Sequence, residues 1–139
     1  MDHLSQERRS WNMSRIRAKD TKPELAVRSL LHRMGYRFRL HRRDLPGRPD
    51  IVLPKYRTVI FVHGCFWHQH SGCRFSNVPK SRQDYWTKKL EGNVRRDRRH
   101  QRNLRKQGWK VLIVWECQTK TPVKLQRRVT ARMRRNLSS

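Results

Sequence analysis

Apolar residues are sparse in this chain but fall into periodic blocks. Thr21 and Glu24 have the spacing of a helix capping box. Ala26, Val27, Leu30, Leu31 and Met34 then recur on one face of a 3.6-residue period, predicting a helix that Gly35 stops. Tyr36, Phe38 and Leu40 alternate with arginines as in a half-exposed strand, and a turn-forming stretch follows at 44–49. Two buried strands are expected at 51–53 and 58–63, joined by a turn at 54–57. Residues 81–107 predict one long or broken helix, with Tyr85, Trp86, Leu90, Val94 and Leu104 facing inward, Gly92 as a possible break and Gly108 as the stop. The stretch 109–115 is almost wholly apolar and β-branched or aromatic, the pattern of a central strand covered on both faces. A basic helix should start near Pro122, with Val123, Leu125, Val129 and Met133 as a partial apolar face.

Interleaved strands and helices argue for an α/β or mixed three-layer domain, and 139 residues suit one domain rather than two. Residues 1–20 lack sustained periodicity. Met13 and Ile16 are among their few apolar anchors, so they read as a basic arm that orders on a partner, ahead of a domain at 21–139.

Charge narrows the partner. Thirty-five Lys and Arg against ten Asp and Glu leave a formal net charge of +25, and such self-repulsion calls for a polyanion. A merely solvated basic face would carry interspersed acids, which are scarce here. Nucleic acid is the polyanion expected. Without a long apolar stretch or a signal-peptide pattern, no membrane role is expected, and the chain reads as soluble and cytoplasmic.

Chemistry concentrates in the irregular segment 64–79. Cys65, His70 and Cys73 lie close together there, and Cys117 follows the last strand, where the fold can return it to the loop. Four such donors describe a closed tetrahedral zinc site, structural because no position is left open; the plainer alternative is three buried cysteines and a surface histidine. Phosphodiester hydrolysis needs carboxylates that hold a hard cation. The acids available are Asp50 at a strand start, Asp97 within an arginine run and Glu24, whose capping role alone explains its presence. His68 is the leading candidate for general base, with His63 and His70 as rivals in the same segment.

Four motifs occur in order: LPGRPDIV at 45–52, HGCFWHQH at 63–70, NVRRD at 93–97 and GWKVLIVWEC at 108–117. Together with Met13 and KDTKPE at 19–24, they closely resemble the very short patch repair endonucleases, over about residues 8–118. The resemblance implies a restriction-endonuclease-like fold with a central mixed sheet. It also implies an enzyme that nicks double-stranded DNA 5′ to the thymine of a T·G mismatch left by deamination of 5-methylcytosine. By resemblance, two Mg²⁺ ions are held by Asp50 and the Val62 carbonyl, His68 activates the water, Asp97 orients His68 or metal-bound water, and Glu24 assists the metal shell. One structural Zn²⁺ falls to Cys65, His70, Cys73 and Cys117. The acid-x-lysine pair usual in the wider superfamily is replaced here by Phe61-Val62-His63, as in the repair family.

DNA contact is expected from Met13, His63, Phe66 and Trp67. The adjacent aromatics would wedge into a weakly stacked mismatch opposite Met13, whereas Trp86 and Trp115 are assigned to the core. A mismatch-repair protein or a cognate cytosine methyltransferase is implied as a partner by family alone, with nucleoid association and a monomeric state. Two other readings share the residues: a restriction- or defence-type nuclease with another target, and a zinc-bound nucleic-acid-binding module without chemistry.

Overall fold

The computed structural model describes residues 21–137, with side chains as far as Met133. Met13 and the expected basic arm at 1–20 lie outside the described residues.

The first helix, α1 (Lys22–Arg33), begins as its capping residues require. Thr21 Oγ1 accepts a hydrogen bond from the Glu24 amide at 3.3 Å. It ends at Gly35, whose φ of 84° is the left-handed conformation favoured after a helix C-terminus. The sheet follows: β1 (Arg39–Leu40), β2 (Ile51–Leu53), β3 (Thr58–His63) and, after the long helix α2 (Gln83–Lys106), β4 (Lys110–Trp115). A short α3 (Glu116–Thr119) and the closing α4 (Pro122–Leu137) complete the order. Strand order is β1-β2-β3-β4, antiparallel for the first two pairings and parallel for β3 and β4.

Alternation along the strands assigns the two faces. Ile51, Leu53, Ile60, Leu112 and Val114 pack with Val27, Leu30 and Leu31 of α1 and Leu125, Val129 and Met133 of α4. Val52, Val59, Phe61 and Val111 point the other way, onto Leu104 of α2, Leu45 and Trp109. The molecule is therefore a mixed α/β domain with helices on both faces of a mixed sheet.

Several expectations need correction. Only Arg39 and Leu40 of the 36–40 stretch pair in the sheet, because Tyr36 and Phe38 pack against the core instead. Gly92 does not break α2, whose hydrogen-bond ladder outweighs the roughly 1 kcal/mol a helical glycine costs. Tyr85 and Val123, expected inside, are 47 % and 58 % exposed, since each lies in the first turn of its helix, beyond the sheet.

Candidate active site

The carboxylates gather where α1, β1 and β2 meet. Asp50 immediately precedes β2, and the Val62 amide donates to its Oδ2 at 2.7 Å. Burial, with the Glu24 carboxylate alongside, pushes the Asp50 carboxyl up to about 7, against the Val62 hydrogen bond that lowers it. Glu24 does more than cap: its backbone amide meets Thr21 while its side chain, 3 % exposed, turns inward. Glu24 Oε2 lies 3.1 Å from Arg28 Nη2 and 3.6 Å from His41 Nε2. The His41 amide also donates to the Asp50 carbonyl at 3.3 Å across the β1–β2 pairing, which fixes that histidine beside Asp50. One donor atom each from Glu24, His41 and Asp50 lies within 4.8 Å of the others.

Facing this group across one groove is a second one. His68 Nδ1 donates to Asp97 Oδ2 at 2.6 Å, joining the 64–79 segment to α2. This bond consumes the Nδ1 proton, so Nε2 is free to act as an acceptor. The ring of His63 stacks on that of His68 at 3.8 Å and 7°. Expected at the DNA surface, His63 is instead 5 % exposed beneath His68, because alternation along β3 turns it to the same face as Phe61. Burial and the neighbouring His68 depress it to about 3, leaving it neutral. The groove that contains both groups is also lined by Lys22, Arg43 and Arg48.

Gly47 lines the same groove. A Cβ there would stand 2.8 Å from His100 Cβ and 3.2 Å from Phe61, and its φ is 74°, so only glycine lets the 44–49 turn lie against α2.

Cys65, His70, Cys73 and Cys117 converge with all donor atoms within 4.8 Å of one another. His70 Nδ1 lies 3.7 Å from Cys65 Sγ and 3.5 Å from Cys117 Sγ. A tetrahedral zinc with ordinary bond lengths implies sulfur–nitrogen edges of about 3.5 Å, so the donor set fits that ion. Without a cation, burial pushes the Cys65 thiol up to about 12; a bound dication favours thiolate and reverses this. His70 thus points into the sulfur cluster, away from the groove.

Phe66 and Trp67 are half-buried neighbours, 5.1 Å between centroids. Trp86, expected in the core, packs against both, at 5.4 and 6.0 Å, as a backing for the pair. Trp115, also expected in the core, is half-buried with its ring stacked on His70 at 4.2 Å, between the cysteine cluster and His63. Gln69 is left-handed at φ 51°, and its Nε2 donates to the carbonyls of Phe66 and Ser76. Arg28, His41 and the backing role of Trp86 were not legible in the sequence. For His41 the signal is a strand register, which residue types alone do not reveal.

A family model described as DNA mismatch endonuclease Vsr matches residues 1–74. The chain is 60 % identical over 117 residues to the type II nicking enzyme V.XorIIP of Xanthomonas oryzae pv. oryzae, covering 84 % of this chain and 85 % of that one. It is 45 % identical to the type II nicking enzyme V.NmeAIP of Neisseria meningitidis, over 86 % of this chain and 84 % of the relative. With the DNA mismatch endonuclease Vsr of Escherichia coli it shares 50 % identity, over 78 % and 69 % of the two chains. With family match, relatives and groove all in agreement, the chain belongs to the Vsr family of DNA mismatch endonucleases.

Proposed function

We propose that this endonuclease recognises T·G mismatches in double-stranded DNA, of the kind left by deamination of 5-methylcytosine, and hydrolyses the phosphodiester 5′ to the mismatched thymine. The nick would initiate very short patch repair. One observation carries the reading: the His68–Asp97 pair and the Glu24–Asp50 carboxylates share one groove with the paired aromatics Phe66 and Trp67. The helices on both faces of the mixed sheet support a restriction-endonuclease-like fold.

Asp50, assisted by Glu24 and with the Val62 carbonyl as a further donor, would hold Mg²⁺, two ions by the family resemblance. Bound there, the cation offsets charge on the scissile phosphate. His68 Nε2 takes the proton of the attacking water, because Asp97 holds the Nδ1 proton and fixes the ring. His63 contributes through its stack on His68 and through neutrality, which keeps a second positive charge away from the base. Lys22, Arg43 and Arg48 at the groove bind flanking phosphates, which carry no sequence information. Phe66 and Trp67, backed by Trp86, wedge between base steps, with Met13 of the arm from the other groove. A weakly stacked mismatch lowers the cost of that distortion. Zn²⁺ on Cys65, His70, Cys73 and Cys117 pins the segment that carries both the base and the wedge. The enzyme acts as a monomer, with a mismatch-repair protein or a cytosine methyltransferase as its functional partner.

Two relatives named as type II nicking enzymes favour a second reading: the same cut at a different target. Nicking measured on matched, T·G and every other mismatched duplex in varied flanking sequence, with Mg²⁺, separates the two. Preferential cutting 5′ to the T of T·G supports the first reading, and equal cutting of matched duplex refutes it.

A further inference from the structure

The Glu24–Asp50 site contains a nitrogen that a purely magnesium site does not need. Mg²⁺ is a hard ion that prefers oxygen donors and keeps its waters, whereas imidazole suits first-row transition metals, among which Mn²⁺ shares the liking of Mg²⁺ for carboxylates but accepts a nitrogen more readily. Glu24, His41 and Asp50 nonetheless bring two carboxylates and one imidazole within 4.8 Å of one another. The orientation of His41 is settled by Arg28. A guanidinium only donates, so the 3.0 Å contact between Arg28 Nη2 and His41 Nε2 makes Nε2 the acceptor and places the ring proton on Nδ1. Its lone pair is therefore aimed at Arg28 Nη2, which sits between His41 and Glu24 where a cation sharing both donors would lie. The same Arg28 Nη2 lies 3.1 Å from Glu24 Oε2, so the guanidinium uses two of the donors that a cation would use.

We propose that His41 is a nitrogen ligand to the divalent cation at the Glu24–Asp50 site, that Arg28 is a tethered cation competing for the same donors, and that the site therefore selects Mn²⁺ over Mg²⁺. This rests on the reading that Asp50 holds the catalytic cation. Arg28 steadies the carboxylates when no metal is bound and withdraws from His41 Nε2 as the cation enters. A charge is exchanged for a charge, so the carboxylates are never left uncompensated.

The test needs no DNA and no turnover. Mn²⁺ binding to the full chain, supplied with one equivalent of Zn²⁺, is followed by electron paramagnetic resonance, Mg²⁺ affinity is obtained by competition, and pulsed resonance detects nitrogen bound to manganese. Wild type is expected to bind Mn²⁺ more tightly than Mg²⁺ and to show the nitrogen coupling. His41→Gln should lose the coupling and lower the Mn²⁺/Mg²⁺ preference severalfold. Arg28→Met should tighten both cations severalfold. If His41 serves only to hold Arg28 and α1 in place, His41→Gln lowers the melting temperature but leaves the preference and the coupling as they were, which overturns the proposal. Unchanged or weaker binding in Arg28→Met overturns the competition. Asp50→Asn separates the two levels: loss of Mn²⁺ binding there upholds the metal site whatever His41 does, and undiminished binding sinks both.

Discussion

His68 is held by two neighbours that do different things. Asp97 Oδ2 accepts a hydrogen bond from its Nδ1 at 2.6 Å, and His63 stacks flat against its face. Asp97→Asn keeps the shape but weakens the acceptor that defines the tautomer. It is expected to slow single-turnover nicking of a T·G duplex about a hundredfold or more, with duplex affinity unchanged; undiminished turnover would remove His68 as the base. Asp50 makes a prediction about pH. Burial, with Glu24 alongside, raises its folded pKa to about 7 from an ordinary 3.8. A carboxyl raised in the folded state favours folding fully below its unfolded pKa, and that contribution is lost as pH rises through the folded value. Metal-free Asp50→Asn should therefore melt several degrees above wild type at about pH 8, with the difference shrinking towards about pH 4, and should not nick. Equal melting curves across that range would contradict a strained carboxylate. Asp50 and Asp97 stood out in the sequence because acids are few, and His68 because it lies in the His- and Cys-rich 64–79 segment. His41 did not, since its meeting with Glu24 and Asp50 depends on the pairing of β1 with β2, whereas Arg28 meets Glu24 within one helix turn of α1.

Among the elements, the 64–79 segment has the least core of its own and carries the most chemistry. Its conformation comes from the cysteine cluster, from Gln69 bridging two carbonyls and from Asn93, which donates to the Trp67 carbonyl at 3.0 Å. Replacing both Phe66 and Trp67 by Ala should lower discrimination between T·G and matched duplex about tenfold or more, because each lost base–aromatic stack costs on the order of 1–3 kcal/mol. Matched-duplex binding should persist. A general loss of affinity with a collapsed melting temperature would mean that the pair serves packing with Trp86 instead. Cys117 lies far from the loop in sequence, on α3, yet its Sγ is 3.5 Å from His70 Nδ1. Cys117→Ser should release zinc and lower the melting temperature, and folded, active wild-type protein without zinc by metal analysis would refute the site. The cysteines were legible as candidate ligands by residue type. Their closure was not, because parallel pairing of β3 with β4 is what sets His63 beside Trp115 and brings α3 back to the loop.

For the whole molecule, a net charge of +25 dominates encounter with DNA. Released counterions should make matched-duplex affinity fall about a thousandfold or more between about 50 and about 200 mM salt. The Phe66 and Trp67 substitutions should leave that slope unchanged, since stacking displaces no phosphate counterions; a shallower slope in the double variant would assign those residues to the backbone grip. The layered fold serves this division of labour. One face of the sheet is sealed by α1 and α4, while the other carries α2, whose Asp97 reaches the site.

Periodicity by itself determined α1, the β2 and β3 strands, the span of α2 and the buried face of α4, because burial on one side imposes a spacing that the backbone geometry must obey. Composition determined the polyanionic partner, since charge adds up regardless of fold. Tertiary structure decided what depends on chain segments meeting: Glu24 turning from a cap to the groove, His63 lying under His68, Trp86 and Trp115 leaving the core for the aromatic pair and the cysteine cluster, and His41 joining the carboxylates. Each of these is a contact between elements set by strand register and helix placement. Neither leaves a periodic trace in the residues involved.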